Sequence, residues 1–247
     1  YLKPDNLRIG GSVLSRSARA TALANSGLED AEQLGEGIDF AQSASLRGKM
    51  PNSQSRTWTA GVGAALITEG GKLGVSYSHY NSLYGVPVRY AIRPGEEQEG
   101  PRIDLAQDRV DLQAEVDVGG NVFKSIKARA GFANYRHNEL EEDGSVGTTF
   151  DSQGLEARLE LVQANQGFWH GATGVQYVSR NFNVAGHEAF LPKNMTEQFG
   201  VFTLQVLDFG RTKIEGGARY ERTALTAMPE AGSEAGHAEF FRGSRTF

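Results

Sequence analysis

The chain has no cysteine among its 247 residues, which removes disulfide frameworks, thiolate catalysis and cysteine-ligated zinc or iron–sulfur sites. It also lacks long hydrophobic runs. The longest wholly apolar or glycine stretch, ending at Ile67, is far short of the ~18 residues that a transmembrane helix needs. Charge of one sign is missing too: 25 Lys+Arg stand interspersed against 30 Asp+Glu, a net charge of −5. No basic stripe for nucleic acid and no polybasic membrane patch is therefore expected. Aromatic residues make up only 9% and prolines number seven, and the mean hydropathy of −0.42 lies on the polar side. The chain opens Tyr1-Leu2-Lys3-Pro4 without an initiator Met or an apolar leader, the pattern expected of a processed chain or of a segment of a longer protein.

Glycine, in contrast, is abundant. Its 31 residues are about one in eight, against an ordinary ~7%. Residues 1–56, rich in Gly, Ser, Ala, Asp and Glu, keep neither a helical nor a strand period for long. They read as a long loop region with short helical turns at most, around Ala18–Asn25 and Leu28–Leu34.

From Thr57 onward the period is two, the signature of strands. Trp58, Ala60, Val62, Ala64 and Leu66 alternate with Thr57, Thr59, Gly61, Gly63 and Ala65. Leu73, Val75 and Tyr77 alternate with Gly74, Ser76 and Ser78. Val110 to Val118 interleave with Asp111, Gln113, Glu115 and Asp117; Ile126 to Phe132 with Lys127, Arg129 and Gly131; Leu155 to Leu161 with Glu156, Arg158 and Glu160. Further on, Phe202, Leu204 and Val206 alternate with Thr203 and Gln205, while Ile214, Ala218 and Tyr220 face away from Lys213, Glu215, Arg219 and Glu221. Trp169 to Phe182 fits less well. The sum is roughly eight strands, each about 10–15 residues long. Short Gly/Asn-rich turns (69–71, 119–121, 165–167, 208–210) take turns with long polar connections (85–106, 137–148, 183–197 and 224 to about 242).

Ordinary globular strands are five or six residues long. Long strands, with short turns at one end and long loops at the other, describe an all-β, antiparallel transmembrane β-barrel whose apolar face meets lipid and whose charged face lines a watery lumen. A soluble β-rich binding module shares the alternation and stays open as a different class.

Several runs carry a resemblance. Pro51-Asn-Ser-Gln-Ser-Arg-Thr-Trp58, Ser76-Tyr-Ser-His-Tyr80 followed by Tyr84-Gly-Val-Pro87, Tyr135-Arg-His-Asn-Glu139, Gly144-Ser-Val-Gly-Thr-Thr-Phe150, Gly154-Leu-Glu-Ala-Arg-Leu-Glu-Leu161 and Glu188-Ala-Phe-Leu-Pro192 together resemble the barrel of TonB-dependent outer-membrane receptors, in the branch that includes zinc-uptake receptors. The resemblance runs from about residue 48 to 225. It implies that residues 57–247 are part of a barrel of about 22 strands, with residues 1–56 as an extracellular loop region and a plug domain not in this chain. It further implies a Gram-negative outer-membrane location and uptake of a scarce ligand, such as a metal chelate or siderophore, driven by the inner-membrane TonB complex. A passive porin or structural barrel without energy coupling is the alternative.

Candidate site residues lie in the long connections. Arg89, Arg93 and Arg102, close to Tyr90, suit an anionic ligand because Arg makes charge-assisted, often bidentate contacts; lumen charges balanced by Glu96, Glu97 and Glu99 are the other reading. His137 and Glu139, with Glu141, Glu142 and Asp143, form a His/carboxylate set able to attract a divalent ion or simply a solvated acidic tip. His187 is the weakest candidate. The residues after Pro87 are Val88, Arg89, Tyr90 and Ala91 rather than histidines, which argues against zinc as cargo, and no resident metal or cofactor is expected. Aromatics including Tyr77, Tyr135, Tyr177, Phe182 and Tyr220 are expected at membrane girdles, and Arg158 with Glu156 and Glu160, or Arg219 with Glu215 and Glu221, in cross-strand ladders. No P-loop, dinucleotide fingerprint or nucleophile elbow is present, so no enzyme activity is expected.

Overall fold

The structure, a computed structural model, describes residues 5–26, 38–96, 98, 100–165, 167–186, 189, 191–228 and 244–246. The fold is all-β. Strands β1 (Arg8–Ser12) and β2 (Arg47–Lys49) pair with each other, and between them lie helices α1 (Arg16–Asn25) and α2 (Phe40–Ser45). Then come eight long strands: β3 (Ser55–Thr68), β4 (Gly71–Gly85), β5 (Arg102–Asp117), β6 (Phe123–Leu140), β7 (Val146–Gln163), β8 (Trp169–Gly186), β9 (Lys193–Asp208) and β10 (Lys213–Met228), followed by the short β11 (Ser244–Thr246). β3 to β11 form one nine-stranded sheet in strict chain order, with β3 and β11 as its edges. The sheet is open. β11 pairs with β10 over Tyr220–Arg222.

The long strands run from 14 to 18 residues, longer than the sequence period indicates. β6 continues to Leu140 and β7 begins at Val146; β8 continues to Gly186 and β9 begins at Lys193. Two connections expected to be long are therefore short, spanning 141–145 and 187–192. Their residues keep pairing after the apolar alternation has stopped. The connection between β4 and β5, residues 86–101, is long as expected. The opposite ends hold tight turns, and at the β3–β4 turn glycine is required. Gly71 has φ +150, and a Cβ there would lie 2.2 Å from the Glu115 carbonyl oxygen.

Two compact units emerge. The first comprises Tyr1–Thr59, Tyr80–Ala106 and His137–Thr149. Its core joins Ala22 of α1, Ile38, Phe40 and Ala44 of α2, and Ala91 of the 86–101 connection, with Leu14 and Ile92 packed against them. Ser15 caps α1, its hydroxyl accepting from the Ala18 N–H, and Asp39 caps α2 through the Gln42 N–H. Residues 1–56, expected as a loop with helical turns, thus include two capped helices and a strand pair. The expected helical turn at Leu28–Leu34 lies outside the described residues.

The second unit comprises Ala60–His79, Gln107–Arg136 and Phe150–Phe247 and has two unlike faces. Register fixes them, since directly opposed residues in an antiparallel pair share a face. One face carries the rows Trp169–Leu207–Ile214, Val175–Val201–Tyr220 and Tyr177–Phe199–Arg222 across β8, β9 and β10. The other carries Gly174–Phe202–Arg219, Gln176–Gly200–Glu221 and His170–Val206–Glu215. Ile214, Ala218 and Tyr220 occupy the apolar face, as their alternation indicates. For β9 the pattern misleads: Phe202, Leu204 and Val206 share the face of Arg219 and Glu215, while Phe199, Val201 and Leu207 stand on the apolar one. Both faces of β9 are apolar in part, so alternation alone assigns the wrong set, and the neighbouring strands decide.

The apolar face is uncovered. Val62 is 71% exposed, Phe199 48% and Tyr220 50%. Aromatic side chains line it at two levels. Near the turns sits Trp169, and the adjoining connections hold the stacked pair Phe168–Phe209, with ring centroids 5.3 Å apart. Tyr177 and Phe199 stand opposite each other eight residues further along β8, about 26 Å of strand. Beyond that second level on β8 and β9 the same face sets Ser179 opposite Glu197, and polar contacts occur on other strands as well. The Tyr77 hydroxyl donates to the Asp108 carboxylate (2.5 Å), which the His79 ring also contacts (2.8 Å); Arg136 bonds Asp151 (2.6 Å); and the Tyr177 hydroxyl reaches back to Glu197 (2.8 Å). Phe182, expected in a girdle, lies instead on the charged face, under Arg180.

Candidate functional site

Most of the candidate ligand residues fall in the first unit. The 86–101 connection that carries Arg89, Tyr90 and Arg93 is fastened at its neck by one side chain. Asn52, at φ +51, extends its Nδ2 to the carbonyl oxygens of Val86 (2.8 Å), Gly100 (2.7 Å) and Pro101 (2.9 Å). The neck is tightened by Val86 N–H donating to the Pro101 carbonyl. Space is so short there that a Cβ on Gly85 would lie 2.2 Å from Asn52 Oδ1. At its far end the connection is held by burial of Ala91 in the helix core and by Asn25 Nδ2, which donates to the Ile92 carbonyl (2.7 Å). The Ala91 N–H donates to Gln98 Oε1 (3.1 Å).

Inside this frame Glu96 turns back on its own backbone. One carboxylate oxygen accepts from the N–H groups of Ile92 (2.8 Å) and Arg93 (3.2 Å). Those hydrogen bonds, chiefly that of Ile92, and the positive fields of Arg93 and Arg89 hold Glu96 below the ordinary carboxylate pKa. Arg89 and Arg93 are exposed and thus share the neighbourhood of a single carboxylate. Tyr90 is half-buried between them in sequence, and its burial raises the phenol pKa.

Arg102 begins β5, half-buried, with its guanidinium beside Gly144 in the 141–145 turn. That turn is closed by Asp143, whose carboxylate accepts from both the hydroxyl (2.6 Å) and the N–H (2.8 Å) of Ser145. These bonds hold Asp143 below its ordinary pKa. His137 and Glu139 sit half-buried in the last residues of β6. Among the described residues no three His, Asp or Glu side chains converge as a metal site. His187 lies outside the described residues.

A second locus belongs to the other unit. The charged faces of β3 to β7 enclose a concavity of about 820 Å³, lined by Arg109, Asp111, Arg129, Glu156, Arg158 and Glu160 among others. Its charges are mostly paired within a strand. Arg109 grips Asp111 through Nε (2.8 Å) and Nη2 (2.6 Å), Arg158 pairs with Glu160 and lies over the Phe202 ring, and beyond the concavity Arg219 pairs with Glu221. The expected cross-strand ladders are therefore i to i+2 pairs for these arginines. The link between strands is Gln176, which donates to Glu156 (2.7 Å) and accepts from Arg219 Nη1 (3.2 Å). Lys72, Glu115 and Lys127 do form a true ladder across β4, β5 and β6. Glycines make room: a Cβ on Gly174 would meet the Phe202 ring at 2.5 Å, and one on Gly200 the Arg219 guanidinium at 2.9 Å.

Sequence reading overlooked Asn52 and the backbone contacts of Glu96. Asn52 carried one signal, its place beside a proline before a strand, and Glu96 another, an acidic residue one position after Gly95. Neither type nor spacing reveals the contacts of Asn52 34 to 49 residues away, or the return of Glu96 onto N–H groups four and three residues before it. No family model matches the chain.

Proposed function

We propose that this chain is a wall segment of a β-barrel in a Gram-negative outer membrane, belonging to a TonB-dependent receptor that takes up a scarce anionic ligand or metal chelate. The observation that carries the membrane reading is the uncovered apolar face of the second unit, edged by Trp169 at one level and by Tyr177 and Phe199 at the other. Strands tilted by ~40° convert about 26 Å of chain into roughly 20 Å of height, close to the ~25 Å apolar band of outer-membrane barrels. The glycine-rich charged face, with its ion pairs already satisfied, suits a watery lumen. Because β11 takes the edge of β10 at Tyr220–Arg222, β10 does not close onto β3 there, which favours a wall of a wider barrel over a small eight-stranded one.

The receptor reading adds the resemblance of the strand motifs and the arginine-bearing 86–101 connection. Mechanistically, the loops would capture the ligand through Arg89 and Arg93, and force from the TonB complex, acting on a plug, would release it inward. The test is uptake by cells that make the full-length protein. Fractionation to the outer membrane and uptake of a chelate that stops when TonB is deleted are the expected results. Uptake that persists without TonB establishes the porin alternative, and a protein found in the water-soluble fraction overturns both.

A further inference from the structure

We propose that the backbone N–H groups of Ile92 and Arg93, together with the guanidinium groups of Arg89 and Arg93, form a recognition site for a carboxylate or phosphate group of a small ligand, and that Glu96 fills this site as an internal stand-in until the ligand displaces it. The inference deepens the ligand part of the receptor reading and rests on it for the role of the loop.

Two successive N–H groups aimed at one anionic oxygen form a nest, a concavity whose partial positive charge selects anions without metal. Glu96 demonstrates the fit. Its Oε2 accepts from both N–H groups, and both arginines act on it electrostatically. Both arginines are exposed, so their guanidinium groups can grip other oxygens of a larger anion, for which charge-assisted, bidentate contact is the usual mode. The fold-back itself is made possible by Gly95 at φ +80.

The nest does not depend on Glu96 for its shape. The Ile92 carbonyl is held by Asn25, the Ala91 side chain is buried, its N–H is bonded to Gln98, and the neck is held by Asn52. An arriving ligand thus meets N–H groups already aligned, which removes part of the ordering cost of binding. It must compete with a tethered carboxylate whose effective concentration is of the order of millimolar. Only a ligand with several anionic groups, able to engage the nest and both arginines together, wins that competition. A tricarboxylate or a chelate built from carboxylates fits this description, and so does a phosphate.

The experiment is titration of the full-length protein with citrate and, separately, inorganic phosphate, followed by calorimetry. Glu96→Ala is expected to tighten citrate binding at least tenfold, Glu96→Gln to tighten it less, and Arg89→Ala with Arg93→Ala to abolish it in either background. Phosphate binding without citrate binding would assign the site to a phosphate-bearing ligand. Amide exchange at Ile92 and Arg93 supplies the control. Unchanged or weaker anion binding in Glu96→Ala overturns the proposal, whether those amides stay protected or exchange faster; in the second case Glu96 is a fastener of the loop. A protein that inserts into the outer membrane and ignores both anions removes the nest alone. One that binds citrate in the Glu96→Ala form but stays in solution removes the barrel alone.

Discussion

Replacing Leu159 by arginine separates a lipid-facing sheet from a water-facing one more sharply than any deletion. Leu159 stands on β7 amid Leu155, Ala157 and Leu161 and is 43% exposed. If its face meets water, Leu159→Arg changes an already half-exposed position, keeps an aliphatic stem against the sheet, and shifts stability by no more than about 0.5 kcal/mol. If its face meets hydrocarbon, the same change places a cation near the middle of the apolar band, at a cost of about 2–4 kcal/mol. That is roughly a 30- to 900-fold change in the folding equilibrium. The depth dependence supplies an internal control. Phe199 lies at the aromatic level opposite Tyr177, where arginine costs only about 0–1 kcal/mol. Refolding of the full protein into lipid vesicles across a urea series, read by heat-modified gel mobility, gives both values. Equal costs at Leu159 and Phe199, both below about 0.5 kcal/mol, would refute the assignment of this face to lipid.

Glycine substitutions should divide by the space above them. Gly174→Ala is expected to lose about 1–3 kcal/mol through overpacking against Phe202 and the Leu159 carbonyl, while Gly216, with nothing within 4 Å, should accept alanine with little change; thermal or urea unfolding ranks them. At the neck of the 86–101 connection, Asn52→Asp keeps the shape but removes both N–H donors, and Asn52→Gly keeps the positive φ but removes the side chain. Both should speed amide exchange at Val86, by an amount corresponding to about 1–3 kcal/mol; an unchanged rate in Asn52→Gly would show that the turn, not the amide, holds the neck. Asp143 has its pKa depressed in the folded chain, so its contribution to the 141–145 turn is complete above the unfolded value of about 3.9 and is lost as pH falls through the folded one. Protection of the Ser145 N–H should accordingly be flat from neutral pH to about 5 and drop below about 4, and Asp143→Asn should remove that dependence.

Strand identity was written plainly in the chain because one face of each strand is apolar and the other polar, as Val110 to Val118 with Asp111 to Asp117 illustrate. Strand length was not. Above the level of Tyr177 polar residues interrupt both faces, so Arg180, Asn181, Asn194 and Thr196 look like loop while the backbone goes on pairing. The orientation of β9 was hidden for the opposite reason, apolar residues on both faces, and only Arg219 and Glu215 across the pair reveal that Phe202 belongs to the charged side. In the first unit, periodicity failed because the core needs few residues: Ala22, Phe40, Ala44 and Ala91, too sparse for a repeat. The arginines of the candidate site were visible as residue types. Their common neighbour Glu96 was visible only as a balancing charge, since its contact is to backbone N–H groups that no sequence pattern marks.

The sequential order of β3 to β11 gives this architecture a unit of change. Each long strand pairs its backbone only with the strands before and after it in the chain, and every second connection lies at the same end. Excising a hairpin such as β7 with β8 would leave β6 and β9 antiparallel, joined at the correct end, and facing the same ways as before. Removing a single strand would reverse the direction of everything after it. Such a sheet can therefore widen or narrow by duplication or loss in steps of two strands, while point changes within a strand adjust its apolar side and its charged side independently.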